Sequence, residues 1–232
     1  MRVDTPSNVS ELRDVLRSAV AVPRKCSLLA GGTDLLVHLR ASPDLSPDLI
    51  DLSGVKELKS IEIHRDHMEI GACATFSQIE GHPLVQERFS ALARAASLVG
   101  SPQIRNLGTI GGNLANASPA ADSLPPLCAL EASLLIENAE GAQSTLSPAQ
   151  VASAPGKDSL HADQYIRAVL LPLRENVLSF FVKTGSRKAV AISKLSLALA
   201  LSPEPGHVRL FAGSLGTSPL RMEPAEAVLD RR

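Results

Sequence analysis

Apolar residues recur at helical spacing over residues 9–19, where Leu12, Val15, Leu16 and Ala19 share a face and Ser7 or Asn8 stands where an N-cap belongs. A short apolar run over residues 26–30 is closed by Gly31-Gly32 and followed by Leu35, Leu36, Val37 and Leu39, which reads as strand, tight turn and helix. From residue 48 to residue 74 the pattern is that of strands, over residues 49–52, 58–63 and 68–73, with Arg65-Asp66 at a hairpin turn. A helix is predicted over residues 84–98. The polar, glycine-rich stretch of residues 100–116 lacks a periodicity of its own and is predicted to be a long ordered loop. After Pro125-Pro126 come residues 127–130 and a strand over 133–136. Residues 151–163, with Ala154-Pro155-Gly156-Lys157-Asp158, read as a loop or joint. Beyond it, residues 165–171, 178–183, 189–201 and 208–212 read as strands and residues 224–229 as a short helix. The class is α+β in about three units, without the regular strand–helix alternation of a doubly wound fold.

Charge and composition remove several alternatives. The 232 residues are 44% hydrophobic, with 23 basic and 24 acidic side chains and a formal charge of -1, so a sizeable core is expected and a basic nucleic-acid surface is not. No apolar stretch is long enough to span a bilayer, and the N-terminus, Met1-Arg2-Val3-Asp4-Thr5-Pro6, lacks the apolar core of a signal peptide. A cytoplasmic location is the expectation. Cys26, Cys73 and Cys128 are far apart, with no C-x-x-C pair, so neither disulfides nor an iron-sulfur cluster is expected. The histidines (His38, His64, His67, His82, His161, His207) are scattered and read as structural or surface residues, with no metal site.

Two glycine motifs carry the candidate chemistry. The first is Leu28-Leu29-Ala30-Gly31-Gly32-Thr33-Asp34-Leu35-Leu36. Paired glycines between strand and helix let backbone approach a ligand, and the free N–H groups of a helix start favour an anion such as phosphate. A helix dipole contributes only about 0.3–1 kcal/mol to such a charge, so a second set of contacts is required. The second motif runs from Ile104-Arg105-Asn106-Leu107 through Gly108-Thr109-Ile110-Gly111-Gly112-Asn113 to Leu114-Ala115-Asn116-Ala117-Ser118-Pro119-Ala120-Ala121-Asp122. It concentrates small hydrogen-bonding groups suited to wrapping a polar ligand. Each motif alone is equally compatible with ordinary Gly/Asn/Ser turns. There is no G-x-x-x-x-G-K-[ST], and no G-x-G-x-x-G opens a βαβ unit, which disfavours an NTPase or a Rossmann dehydrogenase.

In this order, Ala30-Gly31-Gly32-Thr33-Asp34-Leu35-Leu36, Gln103-Ile104-Arg105-Asn106 with Gly108-Thr109-Ile110-Gly111-Gly112-Asn113, and Pro119-Ala120-Ala121-Asp122 resemble the FAD-binding medium subunit of the xanthine dehydrogenase and carbon monoxide dehydrogenase family, the molybdenum hydroxylases. The likeness continues through Leu171-Pro172, Phe180-Phe181-Val182-Lys183, Arg187, Ala191-Ile192-Ser193, Ala212-Gly213-Ser214-Leu215, Pro219-Leu220-Arg221 and Glu226. Family members run on through further helices beyond the counterpart of Leu229, so the C-terminal region is expected to be short, with docking surface missing or supplied by a partner.

The resemblance implies a bipartite FAD-binding fold of the vanillyl-alcohol oxidase or PCMH type. Its units would be an N-terminal α/β subdomain (residues 1–55), a second α+β subdomain (56–173) and a shortened C-terminal domain of the CO dehydrogenase flavoprotein type (174–232). It implies FAD contacts from Leu29, Ala30, Gly31, Gly32, Thr33, Asp34 and Leu35 at the pyrophosphate, and from Thr109, Ile110, Gly111, Gly112, Asn113 and Asn116 around it. Leu171 would join them, Asp122 would accept from ligand hydroxyls or else cap the following helix, and Lys183 would tune the flavin or else be a solvated strand lysine. By the same resemblance, the molybdenum cofactor lies on a large subunit and iron-sulfur clusters on a small one. Electrons reach FAD from the clusters and leave to NAD or another acceptor, and no catalytic acid, nucleophile or metal is needed in this chain. Two other readings stay open: a self-contained FAD-dependent oxidoreductase, and an assembly subunit with an empty flavin site.

Overall fold

In a computed structural model that describes residues 2–22, 25–42, 47–152, 160–187, 190–203 and 207–230, the chain forms three sheets, taken up one after another along the sequence. The first unit consists of β1 (Val3–Asp4), α1 (Val9–Val20), β2 (Cys26–Leu29), α2 (Leu35–Ala41) and β3 (Asp48–Asp51). Asn8 rather than Ser7 caps α1: its side-chain oxygen accepts from the Glu11 N–H at 2.9 Å, while Glu11 accepts from the Ser7 N–H at 2.8 Å. Donors that a helix start leaves unpaired are thereby satisfied. The stripe Val9, Leu12 and Leu16 is buried and packs in one cluster with Ile50, Leu52, Val55, Leu58 and Tyr165. The strands pair in parallel in the order β1-β3-β2, with Val3 opposite Leu49 and Leu28 opposite Ile50.

The second unit holds β4 (Ile61–Ile63), β5 (His67–Gly71), α3 (Phe76–Gly81), α4 (Pro83–Arg88), α5 (Ser90–Ser97), α6 (Pro102–Leu107), α7 (Ile110–Ala115), α8 (Leu124–Ala129), β6 (Ser133–Asn138), β7 (Gln143–Leu146), α9 (Pro148–Ala152) and β8 (Gln164–Pro172). The strands form an antiparallel sheet of order β4-β5-β8-β6-β7. Its central strands and the helices share the main core, to which Ile70, Phe76, Leu92, Ile110, Leu124 and Val169 belong.

Several expectations are corrected here. The strand foreseen over 58–63 is confined to Ile61–Ile63, because Leu52–Gly54 and Lys56–Leu58 wind into 3-10 turns. Leu52, Val55 and Leu58 all point into the core, and a period of three delivers them there. The helix foreseen over 84–98 breaks at Phe89, which leaves helical angles and buries its ring. The supposed loop of residues 100–116 is largely α6 and α7. Ser101 and Thr109 cap them, each accepting from the N–H three residues on. Pro125-Pro126 opens α8, where a missing N–H leaves no bond unmade. The joint at Ala154-Pro155-Gly156-Lys157-Asp158 lies outside the described residues, and Val151 and Ala152 belong to α9.

The third unit is β9 (Leu178–Gly185), β10 (Ser193–Leu201), β11 (Val208–Gly213), β12 (Leu220–Arg221) and α10 (Glu223–Leu229), an antiparallel sheet of order β12-β11-β10-β9 with one helix. The strand read from residue 189 starts at Ser193, and Ala189 lies outside the described residues. Phe181, Ala198 and Ala200 face inward and join the main core. Among the described residues, no helix is long and apolar enough to cross a membrane.

Candidate functional site

The two glycine motifs, far apart in sequence, line one cleft with a volume of about 480 Å³ between the turn after β2 and the start of α7. Ala30, Gly31, Gly32, Thr33, Asp34 and Leu35 form one wall. Thr109, Gly111, Gly112, Asn113 and Asn116 form the other. Ala72, Cys73, Phe76, Tyr165 and Ile166 contribute to the lining as well, and sequence reading had not marked them. Only the fold brings the end of β5 and the start of β8 to this place. Burial pushes the Cys73 thiol up to about 12, so the cleft holds a neutral thiol there.

The glycines divide into two kinds. A Cβ on Gly31 would stand 1.9 Å from the Leu107 carbonyl oxygen, and one on Gly111 would stand 2.6 Å from the Ala72 Cβ. These two lack a side chain so that the turn after β2, α6–α7 and the end of β5 can touch one another, and both also line the cleft. Gly32 sits at φ +70°, the left-handed conformation that turns the chain out of β2. Gly112 is different: a Cβ there would meet only Thr109 Oγ1, at 2.9 Å, and otherwise open cleft.

The motifs also differ in how their backbone donors are used. The Leu36 N–H bonds the Gly32 carbonyl, but the N–H groups of Gly31, Gly32, Thr33, Asp34 and Leu35 donate to no group among the described residues. In the second motif the donors are already taken: Ile110 N–H by Ala74, Gly111 N–H by Ala72, Gly112 N–H by Thr109 Oγ1 and Asn113 N–H by the Thr109 carbonyl. Its offering is therefore made by side chains. Thr109 Oγ1 accepts from Gly112 and keeps its own O–H to donate. Asn113 Oδ1 accepts from Ser123 Oγ at 2.6 Å, which leaves the amide NH₂ as donor, and Asn116 is exposed at the rim.

Five residues expected at the cofactor lie apart from the cleft's lining. Leu29, Ile110 and Leu171 are absent from it, and the last two are fully buried in the main core. Asp122 and Lys183 pair with each other at 2.6 Å, with side chains 8% and 10% exposed. Lys183 Nζ also donates to the carbonyls of Leu98 at 2.9 Å and Ala191 at 3.1 Å, and Asp122 Oδ1 accepts from Ser193 Oγ. Both carboxylate oxygens and the three ammonium donors are thus engaged within the protein. Lys183 is not a solvated lysine, and Asp122 does not cap α8, whose N-cap residue is Ser123 and which has no side-chain cap. Lys183 lines a second cavity of about 430 Å³ together with Arg94, Arg105 and Arg187. The segment of residues 99–105 walls both cavities.

A turn of unpaired backbone donors, facing amide and hydroxyl side chains across an open cleft, is a site for a phosphate-bearing cofactor. The family that this α+β chain belongs to is the FAD binding domain in molybdopterin dehydrogenase, whose model matches residues 1–174. The nicotinate dehydrogenase FAD-subunit of Eubacterium barkeri is 34% identical over 232 residues, covering 97% of this chain and 77% of that protein. A putative xanthine dehydrogenase FAD-binding subunit of Escherichia coli (strain K12) is 33% identical over 208 residues, covering 87% and 71%. The structure of a carbon monoxide dehydrogenase from Hydrogenophaga pseudoflava, lacking the Mo-pyranopterin moiety of its cofactor, matches with a TM-score of 0.88 at 27% identity, covering 98% of this chain and 79% of the matched chain.

Proposed function

We propose that this chain holds FAD in the cleft between the two motifs and serves as the electron-transfer subunit of a molybdenum hydroxylase complex, in the bipartite arrangement of PCMH-type flavoproteins. The observation that carries the reading is the run of unpaired N–H groups from Gly31 to Leu35 at one wall of the cleft. Five donors in succession fit a pyrophosphate, whose oxygens only accept. Thr109, Asn113 and Asn116 would bond the hydroxyls and carbonyls of the same cofactor from the opposite wall. Bound there, FAD would exchange single electrons for pairs and so join one-electron clusters to a two-electron acceptor.

Lys183 enters this proposal as a positioning residue. Its charge is balanced by Asp122, and its bond to the Leu98 carbonyl ties β9 to the end of α5, directly before the segment that walls the cleft. The proposed partners are a large subunit with the molybdenum cofactor and a small one with iron-sulfur clusters, and the proposed final acceptor is NAD or another oxidant. The relatives' names and the match to carbon monoxide dehydrogenase support that assignment. The unit limits proposed are residues 1–55, 56–173 and 174–232.

The test is the visible spectrum of the purified chain, with the released cofactor identified by chromatography and the spectrum repeated with organic substrates. One FAD per chain that stays oxidised with substrates alone is the expected result. Bleaching by an organic substrate in the isolated chain would establish a self-contained oxidoreductase instead. A colourless protein that refuses added FAD would overturn the cofactor assignment.

A further inference from the structure

A hairpin at the edge of the five-stranded sheet carries a cluster that the flavin cleft does not use. β4 and β5 pair with Glu62 opposite Glu69 and Ile63 opposite Met68, and the His64 N–H closes the turn on the His67 carbonyl at 2.8 Å. Side chains alternate along a strand. The register therefore sets Glu62, His64, His67 and Glu69 on one face, while Met68 and Ile70 enter the core.

The side chains on that face converge. The two imidazoles stack with centroids 4.6 Å apart and planes 16° from parallel. His64 Nε2 lies 3.6 Å from Glu69 Oε2, and one ligand atom from each of His64, His67 and Glu69 lies within 4.8 Å of the other two. Asp66 Oδ1 is 2.8 Å from His67 Nδ1. A carboxylate only accepts, so Nδ1 carries the proton and the lone pair of His67 is on Nε2. A carboxylate behind an imidazole in this way is the usual orienting partner of a metal-binding histidine. Glutamates directly opposite one another destabilise a hairpin by their repulsion, which a cation on the same face would reverse.

We propose that His64, His67 and Glu69 bind a divalent transition-metal ion of the zinc class at the tip of the β4–β5 hairpin, with Asp66 orienting His67 and water completing the coordination. Imidazole nitrogen with a single carboxylate suits zinc, nickel or copper, whereas calcium and magnesium require oxygen throughout. Bond lengths of about 2.0–2.2 Å place the ligands of a tetrahedral ion about 3.4 Å apart, which the His64–Glu69 separation already approaches. The remaining closure falls to side chains 25–41% exposed. β5 leads from His67 through Gly71 to the cleft residues Ala72 and Cys73, a strand path of about 17 Å, so the ion would clamp the hairpin without touching FAD.

The test is calorimetric titration of the tag-free, full-length chain with Zn²⁺, followed by thermal unfolding with and without the ion. One ion per chain and a raised Tm are expected. Replacing both histidines (His64→Gln with His67→Gln) should abolish saturation. Asp66→Asn should weaken binding about 10–100-fold, the usual loss for an orienting partner. FAD content, read from the visible spectrum, should be the same in all variants and certifies that each is folded. Absence of saturable binding by the wild-type chain, or undiminished binding by the double variant, overturns the site.

Discussion

At the scale of single residues, neighbouring glycines with the same appearance in sequence have different jobs. Gly31 touches the Leu107 carbonyl and Gly111 touches Ala72, whereas Gly112 faces the cleft. A methyl on Gly31 has nowhere to go, because what it meets is backbone. Gly31→Ala should therefore push the turn after β2 off α6, destabilise the chain and lower FAD retention together, by the about 1–3 kcal/mol typical of overpacking. Gly112→Val should remove FAD, since its side chain enters the space the cofactor needs, with a smaller loss of stability, because the Cβ meets the Thr109 hydroxyl that caps α7 rather than backbone. Thermal unfolding and FAD stoichiometry measured on both variants separate the two roles. Equal flavin loss with equal destabilisation in both would refute the distinction. Gly32 is unsuited to this comparison, since at φ +70° any side chain adds backbone strain whatever the ligand requires.

At the scale of elements, what the sequence made legible was set by periodicity. α1 was foreseen because Val9, Leu12 and Leu16 recur on one buried face; the strands near residues 26–30, 165–171 and 208–212 and the β4–β5 hairpin turn were foreseen from short apolar runs bounded by turn residues. The elements hardest to read were short. α6 and α7 have six residues each, less than two turns, so no apolar stripe develops and only their caps signal them. Ile110 and Leu114 in α7 are both fully buried, one turn apart, and a Thr just before Ile110 is the start signal that a glycine-rich composition hid. The cleft was legible as two motifs, but its other lining residues, Ala72, Phe76 and Tyr165, come from elements with no motif at all. The facing of His64 and His67 likewise needs the hairpin register. Because Thr109 both caps α7 and lines the cleft, Thr109→Ala should cost about 0.5–2 kcal/mol of stability, as lost caps do, and weaken FAD binding. Thr109→Ser, which keeps the hydroxyl, should restore both in denaturant unfolding and flavin titration. Failure of serine to restore binding would assign the effect to the methyl group.

At the scale of the whole molecule, one carboxylate joins the apolar cluster around Tyr165 in fastening the first unit to the second. Glu137 on β6 has a fully buried side chain. It accepts from Arg13 of α1 at 2.9 Å, from Gln143 of β7 at 2.7 Å, from Arg167 of β8 at 3.0 Å, and from the Tyr165 hydroxyl. Tyr165 lines the cleft, so the network lies behind it and joins α1 of the first unit to β6, β7 and β8 of the second. Burial and the charge of Glu137 push the Tyr165 hydroxyl up, which keeps it a donor. Burial alone would raise the Glu137 carboxyl, but the bonds from Tyr165, Gln143 and Arg13 prevail and hold it below its ordinary value. A group depressed in this way contributes stability above the unfolded-chain value of about 4.3 and loses it as pH falls through the lower, folded value. Glu137→Gln removes the charge and leaves both arginines facing a neutral amide. Breaking a buried pair costs about 3–5 kcal/mol, and arginine side chains 32% and 24% exposed put this case at the low end. Above pH 6 the variant should unfold earlier and release FAD more readily than wild type. As pH falls below about 4.3 the wild-type advantage should shrink, because the unfolded chain then binds a proton that the folded carboxylate, held below its ordinary value, resists. Unfolding curves with flavin fluorescence from pH 7 to pH 3 would show the two chains converging; a gap that stays constant through that range would mean that the charge of Glu137 does not fasten the units.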